Sequence, residues 1–93
     1  MLVSNEFVYD RARVLSQNAE RLGIRNCAVV SADPASLAAC LPAYFDKILV
    51  DAPCSGEGMF RKDGDAVGEW SAENVARCIA RQRDILDAAA QML

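Results

Sequence analysis

Residues 45–54 have the sequence Phe45-Asp46-Lys47-Ile48-Leu49-Val50-Asp51-Ala52-Pro53-Cys54, in which a short apolar run leads directly to an acid and a thiol. The run from Ile48 to Val50 predicts a buried strand, because parallel strands covered on both faces are continuously apolar. Asp51 then lies at the carboxyl end of that strand, where open α/β sheets bind their ligands. This stretch therefore predicts the fold class and the place where chemistry is expected.

The rest of the chain predicts further strands and helices around this stretch. Strands are expected at 2–4, 27–30 and 48–50, helices at 8–22, 34–41 and 71–93, and a loop at 52–70. The order β-α-β-α-β-loop-α predicts an α/β fold, because parallel strands need crossover connections and helices cover their faces. No internal repeat or interdomain linker is evident, so residues 1–93 are expected to form one domain. The absence of a glycine-rich turn before the first strand, and of a strand after the last helix, predicts a fragment.

Composition limits the classes of function. With 93 residues, 53% of them hydrophobic and 25% charged, the chain fits one globular domain. Its net charge of −3 provides no general electrostatic attraction for nucleic acid, so any contact with RNA must come from a local patch. The chain has no secretion signal and no apolar run near the roughly 18 residues that a membrane span needs. It is therefore expected to be cytoplasmic and free of membrane.

The four cysteines are not spaced like metal ligands. Cys27, Cys40, Cys54 and Cys78 form no C-x-x-C pair, and the chain has no histidine. A zinc or iron–sulfur site is therefore not expected, and reduced thiols fit better. The lack of histidine also excludes a Cys-His hydrolase within this chain. Apart from Cys54, the cysteines fall on apolar faces and are expected in the core.

Two acids follow the first two predicted strands. Glu6 is placed to accept hydrogen bonds from a ribose diol, or alternatively to lie as a solvated carboxylate at the start of a helix. Asp33 lies between a strand and Pro34, where it either caps the short helix or binds a ligand. The sequence alone leaves both alternatives open.

The segment after the third predicted strand contains the remaining candidates. Asp51 is expected to be partly shielded from water, and Cys54 lies where nearby Arg61 or Lys62 would favour its thiolate. Arg61 and Lys62 are an adjacent cation pair that suits polynucleotide phosphates, although a solvated loop explains them equally well. Trp70, directly before the helix cap Ser71, is expected to pack toward the helix as a hydrophobic staple.

The stretch Asp51-Ala52-Pro53-Cys54-Ser55-Gly56-Glu57-Gly58-Met59-Phe60-Arg61-Lys62 resembles the fourth motif of RNA cytosine-5 methyltransferases of the Nol1/Nop2/Sun family. Asn5-Glu6 and the helix after them resemble the second motif, and Asp33 stands where the third motif has its acid. The extension through Asp63, with Trp70-Ser71 and Arg81-Gln82, is most similar to the bacterial 16S ribosomal RNA branch.

The resemblance implies a partial Rossmann-like class I methyltransferase core that lacks its central first strand and later strands. It implies that Glu6, Asp33 and Asp51 bind S-adenosylmethionine, with Asp51 also beside the target base. It implies that RNA, small-subunit rRNA in this branch, contacts Pro53, Arg61 and Lys62. In this family the attacking cysteine belongs to a later motif, and the Pro-Cys cysteine, here Cys54, serves product release.

Several expectations follow from this resemblance. The family's glycine-rich first motif and its nucleophile motif fall outside the chain, so the chain alone is expected not to methylate RNA. Unpaired strand edges are expected to favour self-association.

Other roles and functions stay open. DNA cytosine-5 methyltransferases attack the base with the cysteine of a Pro-Cys motif, so the rival role for Cys54 is that of the nucleophile. The alternative functions are a non-catalytic α/β interaction module and a nicotinamide dinucleotide-binding fragment that uses Glu6 on ribose.

Overall fold

The computed structural model of the chain describes residues 1–56, 62 and 64–93, which form two compact units. The first unit is Met1–Cys40 and the second is Leu41–Leu93. Gly58 and Arg61, both named above, lie outside the described residues.

The first unit contains two parallel strands and two helices. These elements are β1 (Leu2–Asn5), α1 (Tyr9–Arg21), β2 (Cys27–Val30) and α2 (Pro34–Cys40). The strands pair in register from Leu2 opposite Cys27 to Asn5 opposite Val30. Helix α1 makes the crossover and packs against β2, with Ala12 buried on its inner face. The predicted α/β class with parallel strands and covering helices is therefore confirmed for this unit.

A glycine in the left-handed region ends α1. Gly23 has φ +69°, its N–H donates to the carbonyl of Glu20, and the N–H of Ile24 donates to the carbonyl of Ala19. This is a Schellman arrangement, in which the residues after the helix satisfy its last carbonyls. It turns the chain toward β2, as the glycine at this position predicts.

Replacing Gly23 with alanine is expected to destabilise the chain by about 1–2 kcal/mol, because a side chain disfavours positive φ. An added Cβ would meet nothing within 4 Å, so the backbone angle alone causes the loss. Gly68 is the matched control: it lies inside a short helix and also has free space, so Gly68→Ala is expected to stabilise by roughly 0.5–1 kcal/mol. Urea unfolding of both variants measures the two changes, and equal signs would contradict the explanation.

The second unit is built on one long helix. Helix α3 (Asp65–Glu69) precedes α4 (Ala72–Met92), and the Ser71 hydroxyl caps α4 by accepting from the N–H of Asn74 at 3.0 Å. The cap confirms the prediction from the sequence. The loop prediction for 52–70 is wrong in part, because α3 lies within it.

The predicted third strand at 48–50 is wrong for the described chain. The sheet there has two strands, β1 and β2, and the segment Ile48 to Val50 belongs to neither. Leu49 is 97% exposed, whereas Ile48 and Val50 are half-buried. The apolar run has the alternation of a strand, but a strand also needs a hydrogen-bonding neighbour. Without a neighbouring strand, residues that favour extended backbone do not form the hydrogen-bonded ladder of a sheet.

The end of α4 is held by the segment before Ile48. The N–H of Ala43 donates to the carbonyl of Gln91 at 2.9 Å, and those of Tyr44 and Phe45 both donate to the carbonyl of Met92 at 2.9 and 3.0 Å. These bonds satisfy carbonyls that a helix terminus leaves without partners. Ala88, Ala89 and Met92 are buried in this last part of the helix. Among the helices of the described residues, none has the length and apolar character needed to cross a bilayer.

Candidate functional site

Both carboxylate oxygens of Glu6 have partners within the first unit. Oε1 accepts from the N–H of Val8, the N-cap residue of α1, at 2.9 Å, and Oε2 pairs with Nη2 of Arg11 at 2.9 Å. The negative charge thus lies at the helix N-terminus, where the helix dipole favours it. The Glu6 side chain is 20% exposed and that of Arg11 is 73% exposed. Such an ion pair contributes little to stability, so a ligand hydroxyl can replace Arg11 at small cost.

Asn5 joins the ends of the two strands. Its Nδ2 donates to the carbonyl of Ala32 and its Oδ1 accepts from the N–H of Ala32, both at 3.0 Å. The N–H of Glu6 also donates to the carbonyl of Val30 at 3.0 Å. The Asn5 side chain thereby holds the backbone of Ala32, two residues beyond the end of β2 and directly before Asp33. This role of Asn5 was not predicted from the sequence; its signal there was an amide at the last position of a strand.

Asp33 is the cap of α2. Its Oδ2 accepts from the N–H groups of Ala35 and Ser36 at 3.1 and 3.2 Å, and its carbonyl accepts from Leu37. The capping alternative is therefore confirmed, and the side chain is exposed. Oδ2 accepts both capping bonds, so Oδ1 accepts no hydrogen bond from the residues that the structure describes. A ligand can bind there without removing the cap.

A groove of about 300 Å³ opens beside Glu6 along α1. The described residues lining it combine two aliphatic side chains with an acid, a base and an amide: Glu6, Arg11, Val14, Leu15 and Asn18. Asp33 is not among them. The structure therefore brings Glu6 and Asp33 to the same end of the parallel strands, with the groove on the Glu6 side.

In the second unit, Asp51 and Cys54 lie on an exposed segment. Both side chains are exposed, and so is Lys62. The expected shielding of Asp51 from water is wrong for this structure, because the segment before it has no strand neighbour to cover it. Gly56 has φ +83°, a left-handed backbone angle that glycine adopts readily.

A long-range hydrogen bond anchors this segment to α4. Gln82 Nε2 donates to the carbonyl of Pro53 at 2.6 Å. Sequence reasoning missed Gln82 as a site residue. Its signal was a break in the apolar stripe of the last helix: Gln82 is half-buried and lies between the half-buried Cys78 and Ile85. A polar residue on a buried stripe needs a partner, and Pro53 supplies it.

The four cysteines are free thiols. Cys27 and Cys78 are half-buried, whereas Cys40 is exposed, so the expectation that it lies in the core is wrong. Ala38 is the residue that α2 buries, and Cys40 lies in the last turn of that helix. Across 1–56, 62 and 64–93, no three His, Cys, Asp or Glu side chains are grouped to hold a metal ion.

The chain matches known proteins along its whole length. The model of the family described as 16S rRNA methyltransferase RsmB/F matches residues 1–93. A ribosomal RNA small subunit methyltransferase F of Vibrio vulnificus (strain YJ016) is 46% identical over 93 residues, covering 100% of the chain and 20% of the relative. The protein of the same name from Escherichia fergusonii is 48% identical over 88 residues, covering 95% of the chain and 18% of the relative.

These relatives are much longer than the chain, which spans about a fifth of their length. The match nevertheless includes both units and every candidate residue named above, since the family model covers residues 1–93. The similarity to rRNA methyltransferases expected from the sequence is confirmed. The chain belongs to the 16S rRNA methyltransferase RsmB/F family.

Proposed function

We propose that this chain is a central part of an S-adenosylmethionine-dependent rRNA methyltransferase that modifies C5 of cytosine. One observation carries the proposal: acids follow both parallel strands at the same end, within a chain that matches the family model throughout. The carboxyl ends of parallel strands are where α/β proteins bind nucleotides. A partial Rossmann-like core is the corresponding fold proposal, with the two-stranded parallel sheet as its support.

The described residues fit a nucleoside-containing cofactor on chemical grounds. Ionised carboxylates accept hydrogen bonds from hydroxyl and amino groups, and Glu6 and Asp33 each present one at a strand end. The groove beside Glu6 also offers the aliphatic side chains of Val14 and Leu15, which suit an apolar ring or sugar face. S-adenosylmethionine would supply the methyl group from its sulfonium. We assign Glu6 and Asp33 to its ribose and adenine, and Asp51 to the side of the methyl donor.

Cys54 is proposed to act on the other reactant, the base. A thiolate added to C6 of cytosine makes C5 nucleophilic, and after methylation the C5–H electron pair must form the C5–C6 double bond as the C6–S bond breaks. The departing sulfur keeps the bonding pair, and the C5 proton passes to a base. We assign Cys54 to assist this release, following the family resemblance. Its exposed thiol is accessible to such a substrate.

The RNA would lie against Pro53 and the cation pair Arg61 and Lys62. The support is local: Lys62 is exposed close in sequence to Cys54, while the chain as a whole has net charge −3. Small-subunit rRNA is the proposed substrate because the relatives are named for it. Lys and Arg contacts to phosphate position RNA without reading its sequence.

Glu6→Gln is expected to weaken binding of S-adenosylhomocysteine about tenfold or more, the loss typical when a hydrogen bond to a charged group becomes neutral. Amide chemical shifts of the 93-residue chain, titrated with millimolar S-adenosylhomocysteine, measure this binding even when it is weak. NAD is the competing ligand and is expected to bind less well.

Two control variants make this titration specific. Arg11→Met removes the ion pair but keeps the Glu6 carboxylate, so it is expected to bind nearly as well as the parent. Glu20→Gln makes the same chemical change at an exposed position of α1. If NAD shifts the amides around Glu6 and S-adenosylhomocysteine does not, the dinucleotide alternative replaces this proposal. If neither ligand acts, the interaction-module alternative does.

Activity is testable in a chimera. The matched 93 residues of the Vibrio vulnificus relative would be replaced by this chain, and methyl transfer to C5 of cytosine in small-subunit rRNA would be measured. We expect the chimera to be active and the isolated 93-residue chain to be inactive. An active isolated chain would contradict its assignment as a part, and a chimera that methylates another atom would contradict the C5 assignment.

A further inference from the structure

Gln82 is the polar exception on the inner side of α4. The helix residues that are buried or half-buried from Val75 onward recur at intervals of three or four, with two adjacent alanines near the end: Val75, Cys78, Gln82, Ile85, Ala88, Ala89 and Met92. This spacing places them on one stripe of the helix. All but Gln82 are apolar, so an aliphatic residue at 82 would continue the stripe. The amide at this position therefore has a role other than packing.

The amide of Gln82 holds one peptide unit. The carbonyl of Pro53 accepts from Gln82 Nε2 at 2.6 Å, and this carbonyl belongs to the peptide bond that joins Pro53 to Cys54. A peptide unit is planar, so fixing its carbonyl oxygen also restricts the Cα of Cys54. Proline has no N–H of its own to hold the segment. The Gln82 bond thus links segment 51–56 to a residue 29 positions along the chain.

We propose that Gln82 is a positioning residue for Cys54. The inference rests on the proposed function, in that Cys54 must act on the base for its placement to matter. Gln82 does not touch the reacting atoms; it acts through the Pro53–Cys54 peptide. The acceptor is a carbonyl, so the residue at 82 must donate, which methionine and ionised glutamate cannot do. Glutamine combines a donor with the length needed to reach the Pro53 carbonyl from this position.

The size of the effect follows from the strength of one such bond. The net stabilisation from one hydrogen bond changes the equilibrium ratio of held to released segment by about three- to tenfold. Loss of the amide is therefore expected to slow product release by about that factor, which is less than removal of the Cys54 thiol itself. The helix remains formed, because methionine is a good helix former of similar length.

The test compares Gln82→Met with Gln91→Met. Gln91 lies on the same helix with an exposed side chain, and only its backbone carbonyl is used in the structure. In the 93-residue chain, the heteronuclear NOE and the amide shift of Cys54 report how firmly the segment is held. In the chimera described above, the fraction of protein covalently joined to RNA under denaturing conditions reports release, with Cys54→Ser as the reference.

In Gln82→Met we expect a lower heteronuclear NOE at Cys54, turnover that is three- to tenfold slower, and an accumulated RNA adduct. In Gln91→Met we expect none of these changes. An unchanged Cys54 amide in Gln82→Met overturns the proposal, whatever the activity. Slower turnover without adduct also overturns it, because that pattern indicates a general loss of structure. If Cys54→Ser itself accumulates no adduct, the release role fails, and the amide measurements still decide whether Gln82 holds the segment.

Discussion

Cys54→Ser is expected to reduce multiple-turnover methylation by the chimera by about 100-fold or more, the range that a positioned proton-transfer group contributes. The first methyl transfer is expected to proceed, because the attacking thiol belongs to another motif in the family that this chain resembles. The protein would then remain joined to the methylated RNA. Gel mobility under denaturing conditions, followed over a single turnover, measures both quantities.

Cys40→Ser is the matched control for this experiment. It removes an exposed free thiol from α2, in the first unit, and is expected to leave both the turnover and the adduct level unchanged. The rival role makes the opposite prediction. If Cys54 were the nucleophile, Cys54→Ser would abolish even the first methyl transfer and no adduct would form.

Ala88→Asp is expected to destabilise the second unit by about 3 kcal/mol or more, because an unpaired carboxylate would lie in a buried position. Ala88 is 4% exposed, near the end of α4 that is held by the N–H groups of residues 43–45. Ala90→Asp, two positions along on the exposed side, carries the same charge near the helix end. It is expected to cost only about 0.5 kcal/mol, as an acid near a helix C-terminus does.

The destabilisation by Ala88→Asp should depend on pH. Burial raises the pKa of the introduced carboxyl above its unfolded value of about 3.9. The cost is therefore largest above the raised pKa and decreases as the pH falls through it toward 3.9. Urea unfolding followed by circular dichroism at pH 7 and pH 4 measures the difference. Equal free energies of unfolding for the two variants would show that Ala88 is not in a tightly packed position.

The local elements were predictable from the sequence because their signals are local. Ser71 caps α4 and Gly23 ends α1, each through bonds to residues within five positions. The short strand at residues 27–30 was also predicted. The parallel orientation of β1 and β2 followed from the intervening helix, since parallel strands need a crossover connection.

The prediction failed where an outcome depended on a distant partner. Ile48 to Val50 have the residues of a strand, but the described sheet offers them no neighbour. Asp51 is exposed for the same reason, although its position after an apolar run suggested shielding. Gln82 shows the converse: its bond to Pro53 spans 29 positions, and no local pattern specifies the partner. The joint placement of Glu6, Asp33 and Asp51 around one cofactor remains a prediction.

Hydrogen bonds attach the segment 43–53 to α4 at both of its ends, which has a mechanical consequence for the residues between them. Along the helix axis, Gln82 and Met92 are separated by ten residues, or about 15 Å. The chain from Phe45 to Pro53 covers eight residue steps and could reach about 26 Å when extended. The segment from Phe45 to Pro53 is therefore longer than the distance it must cover along the helix. Residues 48–50 can therefore form hydrogen bonds to a neighbouring strand while the bonds at both ends of the segment are kept.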